Sequence, residues 1–357
     1  MAEFAVPLID IGPYVRGGGD RAAVAAAMDA ACRDVGFVQV VGHGVPDDAA
    51  AGLAAAIDAY FGEPAEVKAA HRAPPGINRG YTPPRSESVS LSLGVGTRMP
   101  DFFEAFNVGA AAAEHPGLDL PADVYPDNIW PDVPGFEVAV RRWFAEARRV
   151  AHTLTDVFAD ALGLPAGFFA AYTDHSIDVL RMNNYALPPG RVADGTDLTG
   201  MGEHTDYGIV TVLWADDAPG LQVLGQDGRW HDVAPAPGAL LVNLGDLTAR
   251  WTNERWLSTL HRVKPPVVDG TVRRRRSAAF FHDGNVEAVV EALPSCVPPG
   301  RAPIHPPTTI GEHIEAKLAG SRAGIANTAA TRDAERVRAA AGPAARETTW
   351  PGTGVGP

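Results

Sequence analysis

Gly202-Glu203-His204-Thr205-Asp206-Tyr207-Gly208-Ile209-Val210-Thr211-Val212-Leu213-Trp214 sets two metal-ligating residue types directly before a short apolar run. The run is too brief for an ordinary helix and rich in β-branched residues, so it reads as a strand. Similar runs surround it: Val179–Tyr185, Leu221–Leu224, Ala239–Asn243, Thr259–Val263 and Ser277–His282, separated by Pro, Gly and Asp turns. Many short strands divided by turn residues predict an antiparallel sandwich or barrel over this half of the chain.

Upstream the pattern differs. Pro7–Ile11 and Phe37–Val41 read as strands, and Gly17-Gly18-Gly19-Asp20 as a turn into a helix that carries Val24, Met28 and Cys32. A second helix is expected from about Pro46 to Phe61, and Asp101–Phe106 as a strand in an otherwise irregular region. Val140, Phe144, Ala147, Ala151, Leu154 and Phe158 recur at three- and four-residue spacing, which predicts a long helix over Phe136–Leu162 with Gly163 as its stop. Thr308–Leu318 reads as a capped helix, followed by a loosely ordered Ala/Arg-rich tail. The expected organisation is thus an α/β region over 1–125, a linker and long helix over 126–174, a β core over 175–285 and a C-terminal strand, helix and tail over 286–357.

The 357 residues carry a formal net charge of −13, which argues against general binding to nucleic acid or an anionic membrane, since phosphate recognition needs a basic field. No apolar run approaches a membrane span, and Met1–Val15 lacks the pattern of a secretory signal. With Cys32 and Cys296 as the whole cysteine complement, neither a disulfide framework nor a thiolate cluster is available. These features predict a cytoplasmic protein, with no obligate protein partner evident.

His204 and Asp206 stand at i and i+2, a spacing that turns both side chains to one face of an extended strand. A later strand through His261 could face them. Two imidazoles and one carboxylate leave positions open on an iron for a co-substrate and dioxygen. A His-x-Asp pair is also common as plain surface polarity, so these three residues alone do not decide the matter. A second feature does more. In Arg273-Arg274-Arg275-Arg276-Ser277, strand alternation puts Arg275 and Ser277 on one face and Arg274 and Arg276 on the other. Arg275 and Ser277 make a carboxylate receptor, with a forked geometry that lysine could not supply. Tyr185 would add a phenolic donor from another strand, with Asn183 and Arg181 on its face. Arg274 and Arg276 read as a solvated edge.

Taken in order, these motifs resemble the isopenicillin N synthase-like group of 2-oxoglutarate/Fe(II)-dependent dioxygenases, from about Pro7 to about Lys317. Val6-Pro7-Leu8-Ile9-Asp10 is similar to that family's opening strand, and Gly36–Val45 to its Gly-Phe…Asn-His-Gly segment, with Gly42 in place of Asn. Phe61, Pro64, Glu66 and Lys68, then Arg79-Gly80-Tyr81, follow in family order. Met182-Asn183-Asn184-Tyr185 is similar to its Asn-Tyr-Tyr-Pro strand, departing at Asn184 and Ala186. Gly220–Val223, Asn243–Asp246 and Trp251-Thr252-Asn253 resemble its intervening strands.

The resemblance implies a mostly β core with flanking α-helices, a cupin-like double-stranded β-helix or jelly roll. It implies Fe(II) at His204, Asp206 and His261, and 2-oxoglutarate chelating that iron with its far carboxylate on Arg275, Ser277 and Tyr185. Dioxygen would then drive oxidative decarboxylation to succinate and CO2, and oxidation of a small molecule by hydroxylation, desaturation or cyclisation, as in secondary metabolism. Other readings compatible with these residues are an Fe(II) oxidase that takes all electrons from its substrate, ethylene-forming breakdown of 2-oxoglutarate, and a silent binding protein on the same fold. For the substrate side, Arg181, Asn183, Phe103 and Arg98 are candidates. Phe102, Phe103 and Phe106 fit a core equally well, and Arg181 could pair with a carboxylate such as Asp178.

Overall fold

Asp20 accepts a hydrogen bond from the backbone N–H of Ala23 at 2.9 Å, the side-chain cap that starts the first long helix, α2 (Arg21–Asp34), after a single turn, α1 (Gly12–Val15). The computed structural model describes residues 4–87, 89–93, 101–186, 200–265, 267–268 and 271–323. Helices α3 (Asp47–Phe61), α4 (Ala65–Ala69) and α5 (Phe136–Leu162) follow. Left-handed Gly135 and Gly163 bound α5 at the limits its periodicity predicts. Later come α6 (Asp246–Trp251) and α7 (Ile310–Ala323). Thr309 and Glu312 exchange side-chain and backbone hydrogen bonds at the start of α7, which is a capping box. No described helix is long and apolar enough to cross a membrane.

The strands are β1 (Leu8–Asp10), β2 (Phe37–Val41), β3 (Gly80–Thr82), β4 (Glu104–Gly109), β5 (Val179–Tyr185), β6 (Met201–His204), β7 (Val210–Ala215) and β8 (Leu221–Leu224), then β9 (Trp230–Asp232), β10 (Leu240–Leu244), β11 (His261–Val263), β12 (Val267–Val268), β13 (Thr271–Val272), β14 (Arg275–His282), β15 (Val289–Val290) and β16 (Thr308–Thr309). Eight form one sheet in the order β1-β2-β10-β7-β14-β5-β4-β3, and four form a smaller one, β6-β11-β8-β9. This is the jelly-roll core with flanking helices that the sequence predicts.

Both faces of the large sheet are buried, by different things. Met182, Val212, Val242, Ala278 and Phe280 point outward into one apolar core with α2, α3 and α5, where Phe280 meets Phe144 edge-to-face at 5.0 Å. Ala105, Tyr185 and Leu241 point inward, and pack with Met201, Leu221 and Val263 of the small sheet. The period-2 alternation of each strand therefore separates a helix-facing face from a chamber-facing one.

Two expectations need correction. The strand expected over Asp101–Phe106 begins three residues later, at Glu104. Before it, the N–H groups of Asp101 and Phe102 donate to the loop carbonyls of Glu87 and Gly200, and the Asp101 carboxylate accepts from the Gly202 N–H. Asp246 and Trp251-Thr252-Asn253, which resemble strand segments of the family, lie outside the strands: Asp246–Trp251 is α6, with Thr248 Oγ1 bonded to the carbonyl of Ile209, and Thr252 and Asn253 follow its end. Gly42, the departure from the family's Asn, has φ +66°, a left-handed conformation that glycine and asparagine both reach readily.

Candidate metal centre and carboxylate receptor

Antiparallel pairing of β6 and β11 puts His261 directly opposite His204, with ring centroids 4.1 Å apart. His204 holds the carbonyl of Gly202 through Nδ1 at 2.8 Å, and His261 that of Thr259 at 3.0 Å. An Nδ1–H bonded to a carbonyl fixes the tautomer, so each Nε2 presents a lone pair. Those two Nε2 atoms lie 3.9 and 3.7 Å from Oδ1 of Asp206. Oδ2 of Asp206 is occupied, accepting from Thr211 Oγ1 at 2.5 Å and from Asn243 Nδ2 at 2.6 Å. Asp206 does not sit on the strand as its spacing predicted: β6 ends at His204, and Asp206 lies just beyond. Its carbonyl takes the N–H of Asp246, which anchors the loop.

The three ligand atoms lie within 4.8 Å of one another, with all three side chains buried. Burial, and then the neighbouring His261 ring, push the His204 imidazole well below its ordinary pKa, against the pull of Asp206. A neutral imidazole is what a metal requires. Two histidines and one carboxylate on one side of the site suit Fe(II) with its remaining positions open.

A cavity of about 140 Å³ extends from this cluster between the sheets. At one end of it lie Arg275, Ser277 and Tyr185, each 2% exposed. Arg275 Nη1 donates to Ser277 Oγ at 3.3 Å, its guanidinium lies 5.2 Å over the Tyr185 ring, and its Nε has no hydrogen-bond partner. Burial raises the Tyr185 phenol above its ordinary pKa, more than the nearby Arg275 lowers it, so it remains a donor. Among the described residues no carboxylate pairs with Arg275. Leaving a guanidinium buried without a counter-charge costs several kcal/mol, of order 3–5. An anion arriving with a ligand would offset that cost. Arg274 and Arg276, on the other face, bond Asp58, and Arg276 also bonds Asp216.

Arg181 and Asn183 line the same cavity. Arg181 does not pair with Asp178. Its Nη2 meets Glu87 at 2.6 Å, its Nε donates to Asn183 Oδ1, and its Cζ lies 4.9 Å over the Phe103 ring. Asp178 instead joins Ser176, His282 and Arg148. Phe103 is 3% exposed and packs against Tyr185 behind the cavity lining, Phe106 belongs to the outer core, and Arg98 falls outside the described residues. Sequence reasoning missed Glu87, Asn78, Asn107, Thr211 and Asp283, which also line the cavity. Asn107 and Asn243 did leave a signal, since an amide inside a strand is unusual unless it serves a site.

Comparison with known proteins agrees with this geometry. Residues 6–133 match the family profile described as non-haem dioxygenase in morphine synthesis N-terminal, and residues 177–284 that of the 2OG-Fe(II) oxygenase superfamily. The 2-oxoglutarate-Fe(II) type oxidoreductase hxnY of Emericella nidulans is 32% identical, over 88% of this chain and 89% of its own. The validamycin A dioxygenase of Streptomyces hygroscopicus subsp. limoneus is 32% identical, over 87% of this chain and 85% of its own. Among solved structures, a full-length Neurospora crassa protein in complex with alpha-KG and thymine superposes with a TM-score of 0.76 at 26% identity, covering 88% of this chain and 96% of that one.

Proposed function

The chain belongs to the 2OG-Fe(II) oxygenase superfamily, and we propose on that footing that His204, Asp206 and His261 hold the iron while Arg275, Ser277 and Tyr185 receive the far carboxylate of 2-oxoglutarate. The protein is an Fe(II)- and 2-oxoglutarate-dependent oxidoreductase that acts on a small molecule and releases succinate and CO2. The observation that carries the residue assignment is Arg275, a buried guanidinium with no acidic partner of its own among the described residues, in the cavity that the His/Asp/His cluster opens onto.

Bound iron would supply the redox chemistry that couples decarboxylation of the 2-oxo acid to oxidation of the substrate. The chain's residues do the rest. Gly202 and Thr259 carbonyls orient the two imidazoles, and Thr211 and Asn243 leave Asp206 a single free oxygen. Arg275 and Ser277 fix the co-substrate's distal end, and the apolar wall of Leu213, Leu221 and Val263 excludes bulk water from its methylenes. We further propose a cytoplasmic setting, consistent with two unpaired cysteines, of which Cys32 is fully buried. The test is succinate release that requires both Fe(II) and 2-oxoglutarate and falls sharply in Arg275→Ala. Unchanged 2-oxoglutarate affinity in that variant would overturn the assignment of Arg275.

A further inference from the structure

The inner face of β14 runs the length of the cavity. Arg275, Ser277, Ala279 and Phe281 alternate along it, and Asp283 continues the series one residue past the strand's end; all five line the chamber. Sheet register places the metal cluster along this line. Phe281 pairs with Thr211 of β7, and Thr211 with Asn243 of β10, the two residues that bind Asp206. The carboxylate receptor lies to one side of that row and Asp283 to the other, with roughly 20 Å of strand between Ser277 and Asp283.

The charges of the cavity can then be matched one by one. Arg181 is neutralised by Glu87 at 2.6 Å, so this cation does not serve as an anion receptor for the substrate. Asp206 faces the metal position, and Arg275 the co-substrate. Asp283 remains. It is 8% exposed, and among the described residues its carboxylate has neither a hydrogen bond nor an ion pair. Burial, and then the carboxylates of Asp178 and Asp206, push its carboxyl well above the ordinary range. Packing does not bring it a donor: a Cβ on Gly208 would stand 2.0 Å from Asp283 Oδ1, so the oxygen rests against bare backbone. Asn107, which also lines the chamber, has its side-chain Oδ1 without a donor. A buried acid that costs stability and has no internal partner calls for a counter-charge from outside.

We propose that Asp283 anchors the substrate, and that the substrate carries a cationic nitrogen, an ammonium or guanidinium, which lies at the end of the chamber opposite the 2-oxoglutarate receptor. This rests on reading the cavity as the oxygenase's substrate chamber. A cation there compensates the lone carboxylate at short range, while a substrate carboxylate would meet Asp283, Glu87 and Asp206, with no unpaired cation on that side among the described residues that line the cavity.

Calorimetric titration of the anaerobic Fe(II)- and 2-oxoglutarate-loaded protein with n-butylguanidinium, n-butylammonium, butyramide and butyrate tests this. The cations are expected to bind at least tenfold more tightly than butyramide, with butyrate weakest. Asp283→Asn should abolish the preference, and Asp283→Glu should keep part of it. Butyramide or butyrate binding as tightly as the cations, or a cation preference that survives in Asp283→Asn, overturns the proposal. If Asp283→Asn does not fold, as judged by its thermal transition, the wild-type series decides alone. The wild type's own 2-oxoglutarate titration separates the two levels. A protein that binds 2-oxoglutarate but shows no cation preference refutes Asp283 only; one that binds no 2-oxoglutarate refutes the chamber reading and Asp283 with it.

Discussion

Asn243 donates a 2.6 Å hydrogen bond to Oδ2 of Asp206, from the middle of the large sheet to the loop that follows the small one's first strand. That bond, with the one from Thr211, decides which carboxylate oxygen is free, and so ties the metal position to the register of β7 and β10. Asn243→Ala should therefore lower Fe(II) affinity about 10- to 100-fold, the usual effect of removing an outer support of a ligand. Equilibrium titration with Fe(II) under anaerobic conditions checks it. Affinity unchanged from wild type would mean that Thr211 and the loop orient Asp206 without Asn243.

Arg275→Ala removes a charge-assisted contact, and such contacts are worth about 1.5–3 kcal/mol, or about 10- to 150-fold in affinity. The Kd for 2-oxoglutarate should rise by that factor while Fe(II) affinity stays the same. Arg275→Lys restores the charge but not the fork, so it should fall between the two.

Asp178 supplies an expected pH dependence of stability. Burial alone would raise its carboxyl pKa, but His282, Arg148 and Ser176 outweigh burial and hold it below the ordinary value of 3.8. A carboxylate lowered on folding stabilises the protein above its unfolded value, and that contribution disappears as pH falls from about 5 through the folded-state value. Thermal melts between pH 7 and pH 3 should show wild type losing stability more steeply than Asp178→Asn. Parallel slopes would contradict the network's role.

Phe280 faces the helices, one residue away from cavity-lining Ala279 and Phe281, and is fully buried against Phe144. Phe280→Ala should cost about 3–5 kcal/mol of stability. Metal and 2-oxoglutarate binding of the folded fraction should change little, because the side chain lies on the other side of the sheet. Chemical denaturation and the iron titration together measure both.

Much of this was legible in the residues. Phe136–Leu162 emerged at its bounds because an amphipathic stripe closed by glycine is a local pattern. The Arg275/Ser277 face followed from strand alternation, which depends only on the backbone. The failures are long-range. Arg181 finds its partner in Glu87, 94 residues earlier, on a loop whose path no periodicity reveals. Asp206 leaves its strand because the loop through Asp246 holds it, and α6 hides among apparent strands since its packing comes from Ile209. Asp283 drew no notice as one acid among many; only its isolation in the cavity distinguishes it.

The central claim is that one iron and one 2-oxo acid share a single buried site. Anaerobic addition of Fe(II) and then 2-oxoglutarate, followed by visible absorption, tests it most directly. The wild type should develop a chromophore that saturates at one iron and one 2-oxoglutarate per chain, lost in Asp206→Ala and displaced to far higher 2-oxoglutarate in Arg275→Ala. No chromophore with both at saturation, or an identical one in Asp206→Ala, would contradict the account.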